Sequence, residues 1–215
     1  MIIKGKKINF LGDSITEGVG VSSPEYSYVN VFQAKYEPSL VRNYGISASC
    51  IAKTHHPAPD NPPYERYFAS RVSEMDADAD VVVVFGGVND FVRGDAPLGQ
   101  FEDRTADTFY GACHELMRSL IERFPTATIV FITPLHNVGA PRNKIGMPTP
   151  QIKYIQAIRE TAEYYSLPIF DLYGMGGIQP GLAVHRTHLI PDAVHPNNSG
   201  AERIADRLAA FLTTL

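Results

Sequence analysis

Short apolar runs alternate along this chain with longer stretches of helical pattern. KINFLG (7–12), LVRNYG (40–45), DVVVVFGG (80–87), ATIVFITP (127–134) and PIFDLY (168–173) read as strands. The third is apolar without interruption, as a strand covered on both faces should be. Between these runs, YSYVNVFQAKYEP (26–38) reads as a helix stopped by Pro38, and PPYERYFASRVSEM (62–75) as a helix with proline at its start. A long amphipathic helix is predicted from about Asp103 to Phe124, with Pro125 behind it. Further helices are predicted over TPQIKYIQAIRETAEYYSL (149–167) and SGAERIADRLAAFL (199–212), the latter opened by a Ser199–Glu202 capping box.

Five strands interleaved with helices predict a parallel sheet wrapped on both faces, a three-layer α/β/α sandwich. Right-handed crossovers leave few topologies, and a flavodoxin-like strand order, 2-1-3-4-5, is the expectation. No internal repeat or domain boundary interrupts residues 1–215, so one domain is expected. Three stretches stay irregular in this reading: 53–63, 135–150 and 174–198. Loops of that length in a compact α/β domain are usually functional or disordered.

The strand ends carry the chemistry. In a doubly wound sheet, ligands sit beyond the carboxyl ends of the strands, at the switch point. There the sequence places Ser14 after the first strand, Gly45 at the end of the second and Asn89 after the third. A hydroxyl between a backbone N–H and a side-chain amide suits acyl transfer, in which the hydroxyl attacks a carbonyl and the donors hold the oxyanion. Such a serine needs a base and an orienting group. PDAVHPNNSG (191–200) offers His195 with Asp192 three residues earlier, close enough for the carboxylate to reach Nδ1 of the ring. Each residue also has a plainer reading. Ser14 and Glu17 form an S-x-x-E pattern, so the serine alone would serve as a helix cap. Gly45 alone reads as a turn residue, Asn89 as a turn amide, and His195 and Asp192 as loop residues.

Taken together, GDSITEG (12–18), NYGISAS (43–49), GGVND (86–90) and DAVHPN (192–197) resemble, in order and separation, the four sequence blocks of the SGNH, or GDSL-type, hydrolases. The resemblance spans nearly the whole chain. It implies a serine ester hydrolase with Ser14 as nucleophile, His195 as general base and Asp192 as its partner. It also implies an oxyanion hole made of the Ser14 N–H, the Gly45 N–H and the Asn89 side chain. No cofactor or metal is required. The first block reads GDSI where the family often has GDSL. Asp13 is expected to order its loop and Asp90 to cap the segment that follows it.

Other motifs are weaker. No G-x-S-x-G elbow exists, because Thr16 stands at the second glycine position. GVGVSS (18–23) opens like a dinucleotide loop but carries Ser23 where the third glycine belongs. His55 and His56 are adjacent, so their side chains diverge. His185 and His188 form an H-x-x-H without an evident third or fourth metal ligand. A metal-dependent phosphodiesterase would have to use that pair, whereas a mouth-shaping role suits His188 better.

Composition narrows the setting. A formal net charge of −4 and a pI near 6.0 give no basic footprint for nucleic acid. Two cysteines, Cys50 and Cys113, are too few for a disulfide framework and read as free thiols. No apolar stretch matches a signal sequence or membrane span, so a cytoplasmic location is expected. Nothing in the residues selects or rejects a homo-oligomer. The irregular stretches and their borders hold His55, His56, Tyr64, His136, Asn137, Arg142, Lys144 and Met147, a polar and aromatic mixture. If they surround the site, short acyl groups, such as acetyl on a carbohydrate, are the expected substrates, ahead of lysophospholipids or thioesters. A non-catalytic glycan-binding module on the same fold is the alternative of a different class.

Overall fold

The computed structural model describes residues 1–55, 66–138 and 149–215. Five parallel strands, β1 (Lys7–Gly12), β2 (Leu40–Gly45), β3 (Val81–Phe85), β4 (Thr128–Ile132) and β5 (Ile169–Phe170), form one sheet in the order β2-β1-β3-β4-β5. This is the flavodoxin-like order that the alternation of elements predicts.

The period-two alternation of the central strands divides the core between the two faces of the sheet. Val82 and Val84 of β3 join Leu11, Ile129 and Phe131 on one face. There they meet α4 (Phe109–Arg123), α5 (Gln151–Tyr164) and a 3₁₀ helix over Phe68–Glu74. Val81, Val83 and Phe85 join Ile8, Phe10, Val130 and Ile132 on the other, against α2 (Tyr28–Tyr36) and α8 (Asn198–Leu212). Every residue of β3 is buried, which is why that strand tolerates no polar position.

Several boundaries differ from the expectation. The helix expected over 62–75 is, where described, the 3₁₀ helix Phe68–Glu74. Its three-residue turn eclipses Phe68 and Arg71, and both are buried. α4 begins at Phe109, not near Asp103, because Thr108 caps it by accepting from Gly111 N. Asp103 instead accepts from Gln100 N at 3.0 Å and Thr108 Oγ1 at 2.8 Å, closing a turn. α8 is capped by Asn197, whose side chain accepts from Gly200 N at 3.1 Å, so the Ser199–Glu202 box is not used. The segment 174–198, expected to be irregular, contains α7 (Ala183–His188), and α6 (Leu172–Met175) runs into its start. Cys50 and Cys113 are free and buried. Among the described residues, no helix is long and apolar enough to cross a membrane.

Register fixes what meets at the site. Gly12 of β1 pairs with Gly45 of β2 on one side and Phe85 of β3 on the other. The chain segments that leave these three strand ends therefore begin side by side.

Candidate active site

Directly after β1 the chain turns into α1 (Ser14–Glu17). Asp13, not Ser14, caps this helix, its carboxylate accepting from Ile15 N at 3.0 Å. That assignment leaves the Ser14 hydroxyl for another partner. Its Oγ lies 2.9 Å from Nε2 of His195. On the far side of the ring, Nδ1 lies 2.6 Å from Asp192 Oδ2. The other carboxylate oxygen, Oδ1, accepts from His195 N at 2.6 Å and Val194 N at 2.9 Å. Ala193, at φ +65°, makes the turn that folds this carboxylate back over its own backbone. Burial pushes the Asp192 carboxyl up, but the bonds from His195 and Val194 outweigh it and hold the group below the usual carboxylate range. The imidazole thus faces a charged acceptor at Nδ1, and Nε2 is left to accept from Ser14.

The loop that carries His195 is seated by Gly20. A Cβ there would stand 2.7 Å from both His195 Cβ and Pro196 O, and the residue has φ +100°. Only glycine meets both conditions, which explains a residue that looked like part of a failed dinucleotide motif.

Asn89 lies on α3 (Val88–Val92), one helical turn past β3. Its Nδ2 donates to Ser49 O at 3.0 Å, which uses one amide hydrogen and leaves the second for the cleft. Asp90, expected as a cap, instead accepts from Ile51 N at 2.9 Å and Ala52 N at 2.8 Å. It ties the loop after β2 to the loop after β3.

Gly45 is placed otherwise than expected. Its N–H donates to Asn43 Oδ1 at 2.8 Å, and the residue does not line the cleft. A Cβ at this position would stand 2.2 Å from Glu17 N, so the glycine serves the close approach of β2 to α1. The same Asn43 donates from Nδ2 to Thr16 O at 2.7 Å, and Glu17 accepts from both the N–H and the hydroxyl of Ser47. These bonds hold the segment that carries Ala48 to the cleft wall. Ala48 has φ +65°, a conformation that usually selects glycine, and among the described residues no group accepts from its N–H. The backbone N–H of this segment left beside the cleft is therefore that of Ala48, three residues beyond Gly45. The signal that would have found it is geometric: the strand ends at Gly45, and a backbone donor facing the site has to come from the loop beyond.

Beneath the site lies Arg71, 2% exposed. It donates to Tyr44 O at 2.7 Å, Gly12 O at 3.1 Å and Ser49 Oγ at 3.1 Å. One guanidinium thereby joins the ends of β1 and β2 to the carbonyl-bearing residue that Asn89 grips. Burial lowers the Arg71 pKa to about 10. Nearby Asp13, 1% exposed, is pushed up to about 7, chiefly by burial, against the bond from Ile15 N.

The residues converge on a cleft of about 540 Å³. Ser14, Asn89, Asp192 and His195 all line it; Val19, Val92 and Val194 give it an apolar side, and Arg93 a charge. Of the loop residues expected around the site, His55, His136 and Asn137 do not line it. His136 instead stacks on Tyr173, with ring centroids 3.7 Å apart. His56, Tyr64, Arg142, Lys144 and Met147 lie outside the described residues. His188 also stands off the cleft, its carbonyl accepting from Asn197 Nδ2 at 3.1 Å. His185 Nδ1 accepts from Gln179 N at 2.9 Å, which leaves Nε2 as the nitrogen of that ring open to other partners. Among the described residues, no group of three or more His, Cys, Asp or Glu side chains is placed to hold a metal ion.

Comparison with known proteins agrees with this fold. A solved structure from Lactobacillus plantarum is 31% identical, with 99% of this chain and 98% of that one covered, at a TM-score of 0.84. A structure described as a GDSL-like lipase from Bacteroides ovatus is 22% identical over 98% of this chain and 99% of its own, at 0.70. An acetyl-xylooligosaccharide esterase from Geobacillus shares the fold at 20% identity and a TM-score of 0.66, covering 99% of this chain and 96% of its own. No curated protein matches the chain. The model of the GDSL-like lipase/acylhydrolase family matches residues 10–203, a span that contains every cleft residue named above. The chain belongs to that family, and it is a carboxylic-ester hydrolase of the SGNH type.

Proposed function

We propose that Ser14, His195 and Asp192 act together as nucleophile, general base and orienting carboxylate in the hydrolysis of short acyl esters, acetyl groups on carbohydrates foremost. The observation that carries the reading is the relay itself: 2.9 Å from Ser14 Oγ to His195 Nε2, then 2.6 Å from Nδ1 to Asp192.

The steps follow from those positions. His195 Nε2 takes the hydroxyl proton as Ser14 Oγ bonds to the ester carbonyl carbon. The carbonyl π electrons move to oxygen, and the oxyanion is held by the Ser14 N–H, the Ala48 N–H and the second amide hydrogen of Asn89. Asp192 stabilises the imidazolium without taking its proton. The tetrahedral centre collapses, the C–O bond to the alcohol breaks, and His195 returns the proton to the leaving oxygen. Water then gives its proton to the same nitrogen as its oxygen bonds to the acyl carbon; the C–Oγ bond breaks, and His195 returns that proton to Ser14 Oγ as the acid leaves. None of these steps needs a metal or cofactor.

Short acyl groups suit the cleft as the described residues line it, its apolar side there being Val19, Ala48, Val92 and Val194 with no long apolar stripe among them. The acetyl-xylooligosaccharide esterase of the same fold is a precedent for that substrate class. The test is a series of 4-nitrophenyl esters from acetyl to dodecanoyl beside acetylated xylooligosaccharides. The expected result is a kcat/KM greatest at acetyl, with acetate released from the oligosaccharides and both activities lost in Ser14→Ala. A kcat/KM that climbs with chain length would assign the site to lipid-like esters instead. Carbohydrate binding that survives Ser14→Ala, with no hydrolysis by the parent, would mark a binding module.

A further inference from the structure

The chain that follows the nucleophile runs beside the chain that follows the base. Gly18 N and Val19 N both donate to Ser14 O, at 3.0 and 2.9 Å, so the segment leaving α1 is tied to the backbone of Ser14 itself. Gly20 then lies close against His195 and Pro196. Two residues on, Ser22 and Asn198 exchange two hydrogen bonds. Ser22 N donates to Asn198 Oδ1 at 2.9 Å, and Asn198 Nδ2 donates to Ser22 Oγ at 2.8 Å. Asn198 is the first residue of α8, three positions past His195.

The base has use for such a clasp. Asp192 holds the ring through Nδ1, but it belongs to the same loop, three residues earlier, and its side chain is 54% exposed. That bond orients the ring within the loop; it does not set where the loop stands relative to Ser14. Asn197 ties the loop to Leu189 O and His188 O, which lie on the segment leading into Asp192. The Ser22–Asn198 pair instead joins it to the chain that carries Ser14, across 176 positions of sequence. Two reciprocal bonds fix an orientation as well as a distance. Both are open to water, so each adds only modestly to stability. Their leverage is on geometry, where a displacement of about 1 Å can cost about a hundredfold in rate.

We propose that Ser22 and Asn198 are positioning residues for the base: their reciprocal bonds hold the His195 loop against the segment that follows the nucleophile, so that Nε2 stays within reach of Ser14 Oγ. The inference rests on the Ser14 mechanism above. Neither side chain lines the cleft, and both act through His195. Asn198→Ala removes both bonds. Asn198→Asp keeps both, because one carboxylate oxygen accepts from Ser22 N and the other from the Ser22 hydroxyl, and an acidic group suits the first turn of α8. Ser22→Ala removes one and leaves the backbone donor in place.

The test measures kcat/KM on 4-nitrophenyl acetate and the rate at which a fluorophosphonate labels Ser14, beside the melting temperature. Asn198→Ala should lower both rates about ten- to a hundredfold. Asn198→Asp should stay close to the parent, and Ser22→Ala should fall between them. The decisive comparison is by background. In His195→Ala the further change Asn198→Ala should cost almost nothing in kcat/KM, because the loop then has no base to place. In Asn89→Ala, which leaves the base intact, it should cost its full factor. If Asn198→Ala is unfolded at the assay temperature, Ser22→Ala is read in the same two backgrounds. Parental rates in Asn198→Ala overturn the assignment and leave the mechanism standing. So does a loss of equal size with and without His195, which marks a general effect on the fold, or a loss that Asn198→Asp fails to recover. A folded parent that takes no label and hydrolyses no ester removes the mechanism, and this inference with it.

Discussion

The hydroxyl of Ser14 lies 2.9 Å from Nε2 of His195, across 181 positions of chain. Two local devices make that contact available. Asp13 takes the capping of α1, which frees Ser14, and the Asp192 carboxylate fixes the ring through Nδ1 while gripping the backbone of its own turn. A serine that merely capped α1 would have its oxygen on a backbone N–H of the first turn.

Ser14→Ala and His195→Ala should each lower kcat on 4-nitrophenyl acetate by at least about a thousandfold, and the double variant should be little worse than either. Additive losses would mean that the two side chains do not act on one step. Steady-state kinetics of the three variants decide it.

Asp192→Asn should lower kcat by roughly a hundredfold to ten-thousandfold. An asparagine oxygen still accepts from His195 N and Val194 N, so the turn keeps its shape. The loss comes from the imidazole, which no longer faces an anion. A melting temperature close to the parent's, beside a collapsed kcat, is the expected pair of results.

Gly45 and Asn89 should part company. Asn89→Ala should lower kcat by about 10²–10³ through loss of an oxyanion donor. Gly45→Ala should act on stability, because its Cβ would stand 2.2 Å from Glu17 N. Overpacking of this kind costs about 1–3 kcal/mol, measurable by urea unfolding. A Gly45→Ala enzyme of parental stability and sharply reduced kcat would return the oxyanion role to Gly45.

Asp13 gives a pH dependence of known sign. Its folded pKa, raised to about 7, lies above the unfolded value of about 3.9, so between those limits the folded chain holds more protons than the unfolded one. Stability therefore falls as pH rises through this window, by up to about 1.4 kcal/mol per pH unit from this group. Asp13→Asn keeps an oxygen for Ile15 N and removes the titration. Its melting temperature should lose that share of the decline between pH 5 and pH 8. Identical slopes for parent and variant would show that Asp13 is not the group responsible.

Much of this architecture is legible in the residues. The all-buried β3 and the alternation of strand and helix lead to the 2-1-3-4-5 sheet, and its strand ends bring Ser14 and Asn89 together. What eluded the sequence was set by tertiary contacts. Gly45 ends β2 and Ala48 lies three residues beyond it, and only the packing of Glu17 against one and the positive φ of the other tells them apart. Thr108 and Asn197 displaced the expected helix starts because each found a backbone donor that pattern alone does not reveal.

The central claim is that Ser14 is the nucleophile and His195 its base. Labelling with a fluorophosphonate, followed by peptide mapping, tests it directly. The expected result is a single adduct on the peptide containing Ser14, absent in Ser14→Ala and formed far more slowly in His195→Ala. An adduct on another residue, or none in an enzyme that still hydrolyses esters, would contradict the account.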